Sequence, residues 1–359
     1  MALNPSGVMS IGGTTVGASI NLELNLSATA NSSIGQADFR ALAQKPSGVI
    51  SLSDFYGKSN IIVIPPVTTD TANLVITAFG IPGYVPGESK VELTINSGVY
   101  LYSTDVVQPA LKFIDFVTGD QITVINNGFI MGKGGQGGGL DNNSTGQPGG
   151  PAISLNVNTI IVNNSYIGGG GGGGSTRVGG GGAGGGNGGY AGTSIPSQYE
   201  SAVSGVGGAP GQSGTDATGS TVTFISLRFG YYISNGAGGG GGRIMPGVGG
   251  AGGAYSNGIP FGGKGGGAGG GGGGHVFNLN SSGGEAIGGS GGSGGAVGAN
   301  STYVGDSPNG GGGGGGGWGA SGGRTAQIAT PGGAGGKAIA LNGKTVTITG
   351  SGIVYGAIS

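Results

Sequence analysis

Between Val67 and Met131 apolar and polar residues alternate in short runs: Asn73 to Phe79, Lys90 to Ile95, Val99 to Tyr102, Leu111 to Val117 and Gln121 to Asn126. A period of two over four to seven residues predicts half-buried strands. Turn signals separate the runs, among them Pro86-Gly87, Asn96-Ser97-Gly98, Thr118-Gly119-Asp120 and Asn127-Gly128. Residues 67–131 therefore read as a small all-β domain. The pattern before residue 60 is different. Ser33 followed by Gln36 has capping-box spacing, Phe39, Leu42 and Ala43 fall on one helical face, and Lys45-Pro46 ends the helix. Around it Pro5-Ser6-Gly7-Val8-Met9-Ser10-Ile11 recurs as Pro46-Ser47-Gly48-Val49-Ile50-Ser51-Leu52, each copy expected to start a short strand. A module of 60 residues with so little to bury is expected to dock onto a partner. Pro65-Pro66 marks residues 61–66 as a hinge.

Beyond Met131 the alternation gives way to glycine, which makes up 98 of the 359 residues and concentrates in 132–337. Gly149-Gly150-Pro151-Ala152-Ile153-Ser154-Leu155-Asn156 recurs as Gly335-Gly336-Lys337-Ala338-Ile339-Ala340-Leu341-Asn342. Ile160-Ile161-Val162 is likewise echoed in Val346-Thr347-Ile348, and Ile122 to Gly128 has a similar shape. Similar strands on either side of the glycine block predict that its two ends meet in one sheet.

Ordering a residue costs roughly 1–2 kcal/mol, with glycine at the high end, and glycine has no side chain whose burial could offset this. A glycine block is therefore either a flexible linker or a lattice in which backbone N–H and C=O groups pair between neighbouring chains. The block also contains segments rich in aromatic and aliphatic residues, such as Thr221 to Ile233 and His275 to Ile287, for which a linker has no use. The expected form is a bundle of three-residue-per-turn extended helices joined by loops. Collagen is excluded, because glycine does not recur strictly every third position.

Thirteen basic and 14 acidic residues leave a net charge of −1, so nucleic acid and anionic membrane are poor partners. No apolar run approaches a membrane span, and the N-terminus shows no secretory signal. There is no cysteine and one histidine, His275, and the five acids of the glycine region (Asp141, Glu200, Asp216, Glu285, Asp306) lie far apart. The chain is expected to be no enzyme and to need no metal or cofactor. Gly57-Lys58-Ser59 and Gly343-Lys344-Thr345 lack the upstream glycine of a phosphate-binding loop.

Blocks such as Gly132-Lys133-Gly134-Gly135-Gln136-Gly137-Gly138 and Gly262-Gly263-Lys264-Gly265-Gly266-Gly267, separated by aromatic loops, resemble the glycine-rich tip adhesins of phage long tail fibres. Ile50 to Ser59 is similar to a segment common in tail and fibre proteins. The resemblance implies a polyglycine-II sandwich whose distal loops bind a bacterial surface receptor. It also implies a virion protein made in the host cytoplasm and released by lysis, joined to other tail or fibre proteins through residues 1–60. The expected layout is mostly β and irregular: a virion-attachment module (1–60), the hinge (61–66), the all-β domain (67–131), and a bundle closed by C-terminal strands (132–359). Tyrosine and tryptophan on a stiff frame give contact area at little entropic cost. Receptor-binding candidates are Tyr190, Tyr199, Tyr231, Tyr232, Tyr255, Phe261, His275, Phe277, Tyr303 and Trp318, with Arg243 and Arg324 as polar anchors. Competing readings are a purely structural fibre or decoration protein and a capsule-degrading tailspike. A homotrimer and a single copy on a trimeric fibre both suit threefold tail fibres.

Overall fold

The computed structural model describes residues 3–58, 60–138, 145–175, 179–188, 205–217, 233–235, 241, 276–278, 284–287, 289–304, 312–325 and 330–359. In these residues the expected strands form, but they stack as a three-sided coil of parallel strands. The first side contains β1 (Ile61–Val63), β4 (Lys90–Ile95), β7 (Gln121–Asn126), β10 (Thr159–Asn163) and β17 (Val346–Thr349). The second contains β2 (Thr71–Ala72), β5 (Tyr100–Tyr102), β8 (Phe129–Met131), β11 (Tyr166–Gly168) and β18 (Ile353–Tyr355). The third contains β3 (Leu74–Thr77), β6 (Leu111–Ile114), β9 (Ile153–Ser154) and β16 (Ile339–Ala340). Each turn runs from third side to first to second, so β3, β4 and β5 make one turn and β6, β7 and β8 the next.

Alternation along each strand places one set of side chains inside the coil. Val91, Leu93, Ile122, Val124, Ile161, Leu101, Ile130, Ile167, Leu111, Phe113, Ile153 and Ile339 form one buried cluster. At the corner between third and first sides, successive turns come so close that a Cβ on Gly119 would lie 2.2 Å from the Gly87 carbonyl oxygen; both glycines have positive φ. The same corner is tied by buried Asp120. Its carboxylate accepts from the backbone N–H groups of Gly87 (2.8 Å), Ser89 (3.2 Å) and Val117 (2.9 Å) and from the Tyr84 hydroxyl (2.6 Å). The next corner carries stacked asparagines. Buried Asn126 Nδ2 donates to Asn163 Oδ1 (2.8 Å), and exposed Asn164 Nδ2 donates to Asn127 Oδ1 (2.9 Å).

Several expectations change. Segment 61–66 is no hinge in its first half, because β1 pairs with β4 from Ile61↔Lys90 to Val63↔Glu92. Residue 131 divides composition but not the sheets: β7 pairs with β10, and β10 with β17. The two ends of the glycine block do meet. Ile339 pairs with Ile153, the register of the repeat, whereas on the first side Thr159 pairs with Val346, one residue beyond its echo Thr345. A two-residue turn with positive φ at Asn342 and Gly343 lies between these strands.

In the N-terminal module α1 (Ile20–Glu23) and α2 (Ala37–Ala43) pack with Leu3, Met9 and Phe55 into a separate core containing Phe39, Leu42 and Ala43. Half of the expected capping box forms, Ser33 N–H donating to the Gln36 side chain (2.8 Å), but the helix begins later, with Gln36 as its N-cap. The Pro-Ser-Gly copies start no strands; both are turns with positive φ at Gly7 and Gly48. The first copy pairs only through an isolated parallel bridge, Ser10 with Ser19.

Candidate functional site

The glycine block leaves the coil at one corner. It departs after β8 and returns at β9, then departs after β11 and returns at β16, so both excursions lie between the second and third sides. Its centre is the uninterrupted run Gly168 to Gly174. Gly170 and Gly173 N–H groups donate to Gly150 and Gln147; Gly171 and Gly174 to Ala183 and Gly180; Gly172 and Ser175 to Ala320 and Gly323. The carbonyls show the same period. Gly169, Gly172 and Ser175 accept from Gly319, Gly316 and Gly313; Gly170 and Gly173 from Gly336 and Gly333; Gly171 and Gly174 from Gly135 and Gly138.

Every third residue thus turns to the same neighbour, and one segment is bonded to six others at N···O distances of 2.6–3.2 Å. The buried polar backbone groups of this run are thereby paired. The spacing leaves no room for side chains: a Cβ on Gly170 would lie 1.9 Å from the Lys133 carbonyl oxygen, and one on Gly172 1.8 Å from that of Gly333.

The block rests on the outside of the second sheet. There Tyr100, Phe129, Tyr166 and Tyr355 stack as a ladder with ring centroids 4.7, 5.9 and 6.4 Å apart, close to parallel. Glycine backbone comes within van der Waals reach of the ladder's ends: a Cβ on Gly211 would touch the Tyr100 ring at 3.3 Å, and one on Gly295 the Tyr355 ring at 3.2 Å. Trp318, Met131 and Ala183 are completely buried against the ladder. Aromatic faces that fill the junction give the lattice a rigid base.

This placement corrects Trp318, which has no exposed surface and cannot be a receptor contact as placed. Its position after the run Gly310 to Gly317 reads as a loop in the sequence. Arg324 is exposed, its backbone N–H donating to Asn300 Oδ1 (3.0 Å). Phe277 lies in β13 (Val276–Asn278) and Tyr303 in β15 (Thr302–Val304), parts of an antiparallel sheet with β12 (Ile233–Asn235) and β14 (Gly284–Ile287). Phe277 pairs with Glu285 and Tyr303 with Ala286, so the two occupy different cross-strand rows. Tyr190, Tyr199, Tyr231, Tyr232, Tyr255, Phe261, His275 and Arg243 lie outside the described residues.

The aromatic ladder was missed by sequence reasoning, because its four residues lie on strands of successive turns and only their parallel stacking brings them together. Among the described residues no group of three or more His, Cys, Asp or Glu is placed to hold a metal, and no helix is long and apolar enough to cross a membrane. Among the described residues two groups are shifted from their ordinary titration range. Burial, reinforced by the hydrogen bond to Asp120, raises Tyr84 to about 12. Lys45, hydrogen-bonded to Asp54, and the Ser51 backbone N–H lower Asp54 to about 2; the Lys45 Nζ to Asp54 Oδ1 distance is 2.7 Å.

The coil thus lends one corner to a backbone-paired block, and the chain also forms the small antiparallel sheet of β12 to β15. The family model "Phage tail fibre adhesin Gp38" matches residues 62–244, which take in all but the last turn of the coil and much of the glycine block, and the chain belongs to that family. It is a phage tail-fibre adhesin. Among solved structures it is similar to the gp37-gp38 adhesin tip complex of the bacteriophage S16 long tail fibre. The identity is 19% and the TM-score 0.41, with 98% of this chain and 100% of that chain covered. No curated protein matches.

Proposed function

We propose that the glycine block is a polyglycine-II bundle that holds receptor-binding loops on the phage tail fibre, with residues 1–60 joining the adhesin to another fibre protein. The observation that carries this reading is the return of hydrogen-bond partners every third residue along Gly169 to Ser175. Three residues per turn with donors radiating sideways is the geometry of such helices. A lattice paired mainly through its backbone leaves the loop sequences freer to vary than a side-chain core would.

The receptor is a component of the host bacterial surface, an outer-membrane protein or a surface glycan. Tyr190, Tyr199, Tyr231, Tyr232, Tyr255, Phe261, His275, Phe277, Tyr303, Arg243 and Arg324 remain the proposed contacts; Trp318 leaves the set. The test is competition. Purified full-length protein at saturation should protect susceptible cells from the phage, and undiminished infection would refute receptor binding.

A further inference from the structure

The duplicated Pro-Ser-Gly-Val motif places two valines in equivalent settings. Val8 is 86% exposed and Val49 88%, more than any other large apolar side chain among the described residues; the next is Val107 at 73%. In each copy the preceding glycine has positive φ, and the following residue, Met9 or Ile50, turns into the core of the module. Each turn is also held through the carbonyl of its glycine. The Tyr56 hydroxyl donates to Gly7 O (2.6 Å), and Arg40 Nη1 donates to Gly48 O (3.1 Å) and Lys45 O (3.4 Å). Isolated surface valines need no explanation. Two at the same position of an internal repeat, each on a pinned turn, are a matched pair.

We infer that Val8 and Val49 are paired plugs which enter two equivalent apolar pockets on a homo-oligomeric fibre protein. The occupant follows from the duplication: one chain that repeats the same protrusion fits a partner that repeats the same pocket around a rotation axis. This deepens the reading that residues 1–60 attach the adhesin, and rests on it. Rigid turns lose little freedom on insertion, so each plug contributes affinity at small entropic cost.

The chain contains no cysteine, so a single introduced thiol reports on one position. Full-length Val8→Cys, Val49→Cys, Val16→Cys and Val107→Cys proteins would be loaded onto virions of the same phage assembled without this chain, then exposed to a maleimide. Val16, 55% exposed, reports on the rest of the module, and Val107 on the coil. The expected result is at least tenfold slower labelling of Val8→Cys and of Val49→Cys alike, with Val107→Cys unchanged. Val8→Asp and Val49→Asp should each reduce retention on the virion to a similar degree, about tenfold, and the double variant should not be retained. Protection of one position alone, or a fall with one aspartate but not the other, overturns the pairing. Protection of Val16→Cys with both plug positions freely labelled overturns the plugs but keeps the attachment reading. Protection of Val107→Cys alone overturns the attachment reading itself.

Discussion

Replacing Gly172 with alanine is a direct test of the lattice. The added methyl would sit 1.8 Å from the Gly333 carbonyl oxygen and 2.4 Å from its carbon, whereas ordinary contact begins at 3.4 Å. The 333–336 segment must move by about 1.5 Å, further than overpacked sites usually absorb without cost. Two of that segment's bonds tie it to the central run, from Gly333 N–H to Gly173 O and from Gly336 N–H to Gly170 O, both 2.7 Å. Losing two net hydrogen bonds at ~1 kcal/mol each, with ~1–3 kcal/mol of strain, gives a destabilisation of about 3–5 kcal/mol. The smaller entropy of the unfolded alanine chain returns less than ~1 kcal/mol. Gly35→Ala is the control, since a Cβ there meets nothing within 4 Å and its φ is not positive. It should change stability by less than ~0.5 kcal/mol. Denaturant unfolding followed by circular dichroism measures both. If Gly172→Ala unfolds at the same denaturant concentration as Gly35→Ala, the close packing of bare backbone is wrong.

Other expectations concern the coil and the N-terminal module. Asp120→Ala leaves three backbone N–H groups and the Tyr84 hydroxyl without their acceptor, and should cost roughly 3–5 kcal/mol in the same unfolding assay. Tyr84 is raised to about 12, so its neutral form is the one the fold favours. Its contribution is complete below pH ~10 and is lost as pH rises toward 12, and Tyr84→Phe should remove that alkaline dependence from pH-resolved melting curves. Asp54 behaves in the opposite sense. Lowered to about 2, it stabilises the module above pH ~4 and loses that contribution as pH falls through 2, a dependence that Asp54→Asn should abolish. Asn163→Ala removes a buried rung shared with Asn126 and should lower stability by about 1–3 kcal/mol in denaturant titration.

The strands were legible to the residue where alternation was clean, as at Lys90 to Ile95 and Gln121 to Asn126. Their parallel stacking was not, because period two reports which side chains share a face and says nothing of which strand lies alongside. The one long-range clue was repetition, and the pairing of Ile153 with Ile339 followed it. The domain boundary at Met131 was drawn from composition, but composition changes where the chain leaves the coil, and the coil itself resumes at Ile153 and again at Ile339. Trp318 shows the limit for contact residues. An aromatic after a glycine run reads as a loop tip, and its burial depends on a ladder built from four strands far apart in sequence. Order in the glycine block was legible from its aromatic and aliphatic segments, for which a flexible linker has no use, but its six-neighbour centre was not, because glycine carries no pattern that points to a partner.

Amide hydrogen exchange along Gly169 to Ser175 probes the backbone lattice at its centre. Each of these seven N–H groups is bonded to another part of the backbone, so all should exchange orders of magnitude more slowly than in an unstructured glycine peptide, opening together with the folded unit. Exchange at unstructured-peptide rates across the run would mean that the lattice does not form.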